Sequence, residues 1–311
     1  MGTPAFATPS LEAVARACDV VAVVTQPDRP RGRGLRAAPS AVAERAQALG
    51  LDTLKPASPN DESVRADLAR RGADLFAVVA FGAILSPALL ATPRLGAINL
   101  HGSLLPDYRG ASPVQAALRD GRVATGVTTL WMDEGVDTGD VILQRWTPVA
   151  PDEDAGALAA RLAVLGAPLL AESLLLAHAG RAPRHPQDRA RGSYARRLRK
   201  EHGAMDWTRP AEALWHHVRA MTPWPGATAW HHGRRLQVSR AVPLHLLPAG
   251  APPGTVVAAG ADGVDVACGA GVLRLARVRP EGRAEMDAAE WARGARLEPG
   301  ERLTANEGAH T

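Results

Sequence analysis

Asn99 and His101 stand two positions apart at the end of an apolar run, Ala97-Ile98-Asn99-Leu100-His101-Gly102-Ser103. In an extended strand, residues two apart share a side, so the amide and the imidazole project together while Ile98 and Leu100 face the packed side. The pair suits chemistry at a carbonyl. Asn99 offers an amide donor to a developing oxyanion, and His101 can carry a proton or serve as a second donor. Polar groups near a core are usually hydrogen-bonded, so a satisfied polar pair is the plainer reading. A second apolar run, Gly126-Val127-Thr128-Thr129-Leu130-Trp131-Met132, leads into Asp133, Glu134, Asp137 and Asp140. Acidic residues among glycines read either as solvated turn chemistry or as a carboxylate beside His101, which would orient the imidazole and accept a proton through a water.

The elements that must position these groups alternate in the first part of the chain as in a parallel α/β sheet. The pattern predicts strands at 20–25, 74–80, 97–100 and 126–132, and helices at 39–49 and 112–119, the latter with Ser112 as N-cap and Pro113 in its first position. Asn99 and His101 then fall at a strand's C-terminal end, where open α/β sheets place ligands. No Gly-x-Gly-x-x-Gly turn or P-loop lysine motif is present, which disfavours the common nucleotide cofactors. After Gly180 the composition shifts to Arg, Pro, Gln and Asp, as in a linker. Short strands follow at 228–232, 235–241, 255–259, 264–267 and 272–278, separated by Gly, Pro and Asp turns; their close spacing favours a small barrel over a sandwich only weakly.

A chain of 311 residues accommodates two domains. Cys18 and Cys268 are far apart, which argues against a disulfide framework or zinc knuckle and for a reducing cytoplasm. No basic and apolar leader opens the chain. The most apolar stretch, 158–180, carries Arg161, Glu172, His178, Gly166 and Pro168, and reads as an amphipathic or buried helix with an interruption and not as a membrane span. Net charge is +4, yet 181–240 holds thirteen Arg and Lys against four Asp and Glu, so the basic character is regional. Such a stripe is an electrostatic footprint for phosphate backbones. His216-His217 and His231-His232 are adjacent pairs whose side chains should diverge, and no metal is expected. Trp207, Trp215, Trp224, Trp230 and Trp291 read mainly as packing residues, with base stacking as the alternative.

Taken together, the motifs resemble the methionyl-tRNA formyltransferase family over nearly the whole chain. The resemblance rests on Gln26-Pro27-Asp28-Arg29-Pro30 with Gly32-Arg33-Gly34, on Asn99-Leu100-His101-Gly102-Ser103-Leu104-Leu105-Pro106, on Val136-Asp137-Thr138-Gly139-Asp140, and on Asp206-Trp207 with Pro223-Trp224-Pro225. The Asn, His and Asp trio marks the wider formyltransferase superfamily; the Arg-rich early loop and the second domain point to the tRNA enzyme. The resemblance implies a Rossmann-like, doubly wound, mostly parallel sheet over 1–180, a basic linker over 181–198 and an OB-like, tRNA-binding barrel over 199–311.

It further implies transfer of the formyl group of 10-formyltetrahydrofolate to the α-amine of initiator methionyl-tRNA. Asn99, His101 and Asp137 would be catalytic. Ser103, Leu104, Leu105 and Pro106 would line the folate site, with Phe81, Gly82, Ile84 and Leu85 as a wall of the pterin pocket. Arg29, Arg31, Arg33 and Arg36 would sit near the tRNA acceptor end, and Arg196, Arg197, Arg199 and Lys200 belong to the basic stripe offered to tRNA. A cytoplasmic monomer with no metal, no membrane contact and no obligate protein partner is expected. The rivals are a folate-dependent formyltransferase for a small amine such as an amino sugar nucleotide, and a noncatalytic tRNA-binding or folate-sensing protein. One departure stands out: relatives carry an apolar strand before the Gly2-Thr3-Pro4 turn, so a central first strand is expected to be missing and the natural start to lie several residues upstream.

Overall fold

The computed structural model describes residues 1–31, 36–188, 190–244 and 250–307. They form two compact units. One comprises Met1–Pro113, Ala124–Pro148 and Ala159–Ala195; the other comprises Val114–Val123, Val149–Leu158 and Arg196–Thr311. In chain order the first half contains strands β1 (Val23–Val24), β2 (Arg29–Arg31), β3 (Arg36–Ala38), β4 (Thr53–Leu54), β5 (Phe76–Val78), β6 (Ala97–His101), β7 (Arg109–Gly110), β8 (Ala124–Trp131), β9 (Val141–Pro148) and β10 (Tyr194–Ala195). Its helices are α1 (Thr8–Ala17), α2 (Ala41–Ala48), α3 (Glu62–Arg70), α4 (Pro87–Leu90), α5 (Pro113–Arg119) and α6 (Ala155–His178).

The main sheet of the first unit runs β5-β6-β8-β9. β5 and β6 are parallel, with Val78 opposite Asn99. β8 lies antiparallel to both β6 and β9, so the sheet is mixed where a mostly parallel one is expected. The expectation fails because α5 resembles a crossover helix in sequence, yet from Val114 its residues pack with the second unit. The chain can therefore turn back along β6, and the loop from β8 to β9 contains no helix that would allow a parallel return.

β1 pairs in parallel with β4. The Gly2 N–H donates to Val24 O at 3.0 Å and the Val79 N–H to Met1 O at 2.9 Å, so Met1 and Gly2 bridge the residues around β1 and β5. Beside them lies a cavity of about 440 Å³, lined by Val20, Ala22, Leu75, Ala77, Leu170 and Leu174 among others. The strand expected over 20–25 is thereby reduced to Val23–Val24: before Val23 no ladder partner lies along it among the described residues. α2 begins where Ser40 caps it, its Oγ accepting from the Ala43 N–H at 3.0 Å.

α6 is long and apolar enough to cross a membrane, and half of its apolar stretch is buried within the protein. The interruption expected at Pro168 does not occur. The carbonyl left without its helical donor is that of Val164, a residue 65% exposed, where water can take the donor's place. Two residues before Pro168, a Cβ added to Gly166 would lie 2.7 Å from Leu100 Cδ2, so a residue without a side chain lets α6 close on β6.

The second unit contains α7 (Ala211–Met221), β11 (Ala227–His231), β12 (Arg234–Leu244), β13 (Val256–Gly260), β14 (Gly263–Ala267), β15 (Val272–Pro280), β16 (Met286–Asp287) and α8 (Ala288–Ala295). Its antiparallel sheet runs β11-β12-β15-β14-β13, with β16 on β15. Alternating buried positions such as Leu236 and Val238 on β12 and Leu273 and Leu275 on β15, with Val264 and Val266 of the wholly buried β14, fill its core. The ladders form an open path, and none joins β11 to β13 among the described residues. Instead, Thr304 bridges Trp230 on β11 and Arg302 bridges Thr255 just before β13.

Candidate functional site

The polar cluster forms at the C-terminal end of β6. Ile98 and Leu100 are buried on one side of the strand; His101 is buried and Asn99 half-buried on the other. The loop after β8 delivers Asp137 to them. Its Oδ1 accepts from Asn99 Nδ2 at 3.1 Å, its Oδ2 accepts from the Gly110 N–H at 2.8 Å, and Oδ2 lies 3.4 Å from His101 Nδ1. His101 Nε2 lies 2.9 Å from the Tyr108 carbonyl. One carboxylate thus gathers an amide, a backbone N–H and an imidazole, while both ring nitrogens face acceptor oxygens. Among the four candidate acids only Asp137 does this. Asp133 accepts from the Gly135 N–H and the Thr138 hydroxyl within its own turn, Asp140 pairs with Arg184 at 3.4 Å, and Glu134 is exposed.

The segment from Ser103 to Pro106 is strapped to the sheet. Ser103 Oγ donates to Asp107 O at 2.6 Å, so its hydroxyl closes its own turn. Thr128 Oγ1 donates to Ser103 O and accepts from the Leu105 N–H. Gln144 Nε2 donates to Leu105 O at 2.8 Å. Of the expected pterin wall, Phe81 and Leu85 are buried in a cluster with Phe76, Val78 and Leu89. Gly82 takes a left-handed conformation (φ 86°), and Ile84 is 80% exposed. None of Asn99, His101 and Asp137 lines the cavity beside Met1.

Sequence reasoning missed the wall opposite β7. The stretch read as linker is hydrogen-bonded there: β10 pairs in parallel with β7, the Arg109 N–H donates to Ser193 O at 2.8 Å, and Ser193 Oγ accepts from the Tyr108 N–H at 3.0 Å. Gln187 reaches the Asp137 loop from the same stretch. Two-residue strands leave no periodic signal, which is why neither was visible.

Among the expected tRNA contacts, Arg29 is exposed and lies 3.4 Å from Gln26 Oε1. Arg31 and Arg36 are register partners where β2 pairs antiparallel with β3, and Arg33 lies outside the described residues. Arg196, Arg197, Arg199 and Lys200 are all exposed on the second unit. Divergence of the adjacent histidines is not what the structure has at His231 and His232. A left-handed φ of 48° at His232 turns both rings to one oxygen, Glu301 Oε2, at 2.8 and 2.7 Å. Of the tryptophans, Trp207 and Trp291 are buried and Trp224 is 52% exposed.

A four-stranded mixed sheet with a polar triad at a strand end, followed by a six-stranded antiparallel sheet, is a two-part architecture, and both parts have known counterparts among the transferases. Residues 5–174 match the formyl transferase family and residues 197–296 match the formyl transferase C-terminal domain. A methionyl-tRNA formyltransferase of Symbiobacterium thermophilum is 46% identical over 99% of this chain and 95% of its own; one of Geobacter metallireducens is 43% identical over 97% of each. Among solved structures, the N-formyltransferase of Helicobacter canadensis, in complex with folinic acid and dTDP-3-aminofucose, shares the fold with a TM-score of 0.62 at 15% identity, over 88% of this chain and 97% of that one. The chain belongs to the formyltransferase family and, within it, to the methionyl-tRNA formyltransferases.

Proposed function

We propose that this chain transfers the formyl group of 10-formyltetrahydrofolate to the α-amine of methionyl initiator tRNA, with Asn99, His101 and Asp137 at the reacting centre. The observation that carries the assignment is the convergence of Asn99 and His101 on the Asp137 carboxylate. The cluster suits a formyl group: Asn99 spends one N–H on Asp137 and keeps a second N–H and its carbonyl oxygen without a protein partner among the described residues. That spare N–H, on a half-buried amide, is a fixed donor for the oxygen of a carbonyl under attack.

In the reaction the neutral amine forms a bond to the formyl carbon, the bond from that carbon to the folate nitrogen breaks, and one proton passes from the amine to that nitrogen. Asn99 holds the developing oxyanion. His101 joins it when Nε2 exchanges the Tyr108 carbonyl for the substrate oxygen. Asp137 fixes the imidazole and assists the proton's passage. Ser103 to Pro106 and the residues around Phe81 serve the folate, as a co-substrate and not a resident group, and no metal is assigned. Residues 1–180 act as the catalytic domain, 181–198 as the connection and 199–311 as an OB-like tRNA-binding domain. The exposed Arg196, Arg197, Arg199 and Lys200, with Arg29, Arg31, Arg33 and Arg36, are offered to tRNA phosphates. A cytoplasmic monomer is the form proposed.

The test is formyl transfer from 10-formyltetrahydrofolate to charged initiator tRNA beside charged elongator methionyl-tRNA. Strong preference for the initiator is expected. Transfer to neither, by a folded protein that binds folate, overturns the assignment in favour of a small-amine acceptor.

A further inference from the structure

The geometry points to Gln187 as a positioning residue for Asp137, anchored in turn by Arg109. This rests on the role just proposed for Asp137. Asp137 adopts φ 54°, a left-handed conformation that is disfavoured for a residue with a Cβ and persists where surrounding contacts over-determine it. Gln187 supplies such contacts. Its Nε2 donates to Asp137 O at 2.9 Å and to Gly139 O at 2.8 Å, so both hydrogens of one primary amide hold two carbonyls of the same turn.

The amide is itself oriented. Gln187 Oε1 accepts from Arg109 Nε at 3.0 Å and from Nη2 at 2.9 Å, and Arg109 is 3% exposed. Nη2 also lies 3.3 Å from Asp188 O. The forked guanidinium fixes which end of the amide faces the turn, because an acceptor must meet the fork and donors must meet the carbonyls. Arg109 adjoins Gly110, whose N–H donates to the Asp137 carboxylate. Backbone and side chain of Asp137 are therefore held from one short strand, directly through Gly110 and indirectly through Arg109 and Gln187. Of the uncharged or acidic side chains of this size, a glutamine alone satisfies both ends.

Gln187→Glu separates positioning from space filling. Glutamate keeps the volume and the Arg109 contact, but it has no donors and turns an oxygen toward two carbonyls. We expect it to lower kcat about tenfold to a hundredfold, with the folate KM within about threefold of wild type. In an Asp137→Ala background, single-turnover rates with Gln and Glu at 187 should agree within about twofold, because a residue acting through Asp137 has nothing left to position. Wild-type kcat in Gln187→Glu, or an equal loss in both backgrounds, overturns the proposal. Should that variant not fold, Arg109→Lys, which replaces the fork by a single ammonium, should lower kcat about threefold to tenfold, and no loss overturns it. Undiminished turnover in Asp137→Ala alone refutes instead the role of Asp137, independently of Gln187.

Discussion

Asn99 and Asp137, 38 positions apart in the chain, are joined by a 3.1 Å hydrogen bond from the Asn99 amide to the Asp137 carboxylate. The bond aligns the remaining Asn99 N–H, since an amide held by one hydrogen has its other hydrogen fixed in direction. Asn99→Ala should lower turnover about 10²–10³-fold, the usual cost of one oxyanion donor. Rapid-quench measurement of formyl transfer checks it, and a loss below about tenfold counts against the assigned role.

Asp137→Asn tests the other end of the bond. Both carboxylate oxygens receive N–H donors, from Asn99 and from Gly110, so either orientation of an asparagine amide points its NH2 at a donor. The expected cost is about 1–3 kcal/mol of stability from an unsatisfied, mostly buried polar group. Turnover should fall by about a hundredfold or more. Urea melts and single-turnover rates measure the two losses separately.

Much of this was legible beforehand. The Asn99–His101 spacing places two groups on one side of one strand, and the short strands of the second half are marked by the Gly, Pro and Asp turns between them, although their order in the sheet is not. By residue type and spacing Asp137 is one of four nearby acids, and only the resemblance of its motif to the family marks it out. In the structure its contacts with Asn99, Gly110 and His101 single it out, made from a left-handed backbone at a non-glycine residue of which spacing carries no sign. The direction of β8 was hidden because α5 has the pattern of a crossover helix. The pairing of Arg109–Gly110 with Tyr194–Ala195 joins segments too short to show a period. The convergence of His231 and His232 depends likewise on one left-handed residue.

Acid sensitivity of the second unit should trace in part to His217. Burial holds its imidazole below the ordinary 6.5, although its hydrogen bond to Gly203 O favours the charged form. The folded protein therefore prefers the neutral ring and the unfolded chain binds the extra proton. The stability from this residue is complete above pH 6.5 and is lost as pH falls through 6.5 toward the lower folded value. In His217→Gln, the drop in thermal midpoint between pH 7 and pH 5 should be smaller than in wild type; an unchanged drop removes His217 from the account.

The exposed basic residues give a prediction in salt. If Arg196, Arg197, Arg199 and Lys200 meet phosphates, each alanine substitution should reduce the slope of log Kd for tRNA against log salt by about 1. Turnover at saturating tRNA should change little. Filter binding across a salt series measures the slope, and a fourfold alanine variant with an unaltered slope excludes this surface.

The bridges made by Arg302 and Thr304 bear on how the second unit comes into being. Glu301 O receives the Val256 N–H, and Trp230 and Thr304 exchange both backbone hydrogen bonds. A ribosome emits these partners after every strand they touch, so the nascent sheet carries two bare borders, at Trp230 and near Val256, until that last stretch emerges. During that interval the borders are open templates for foreign strands. Synthesis halted before Gly300 should therefore release aggregation-prone polypeptide even though β11 to β16 have all been made.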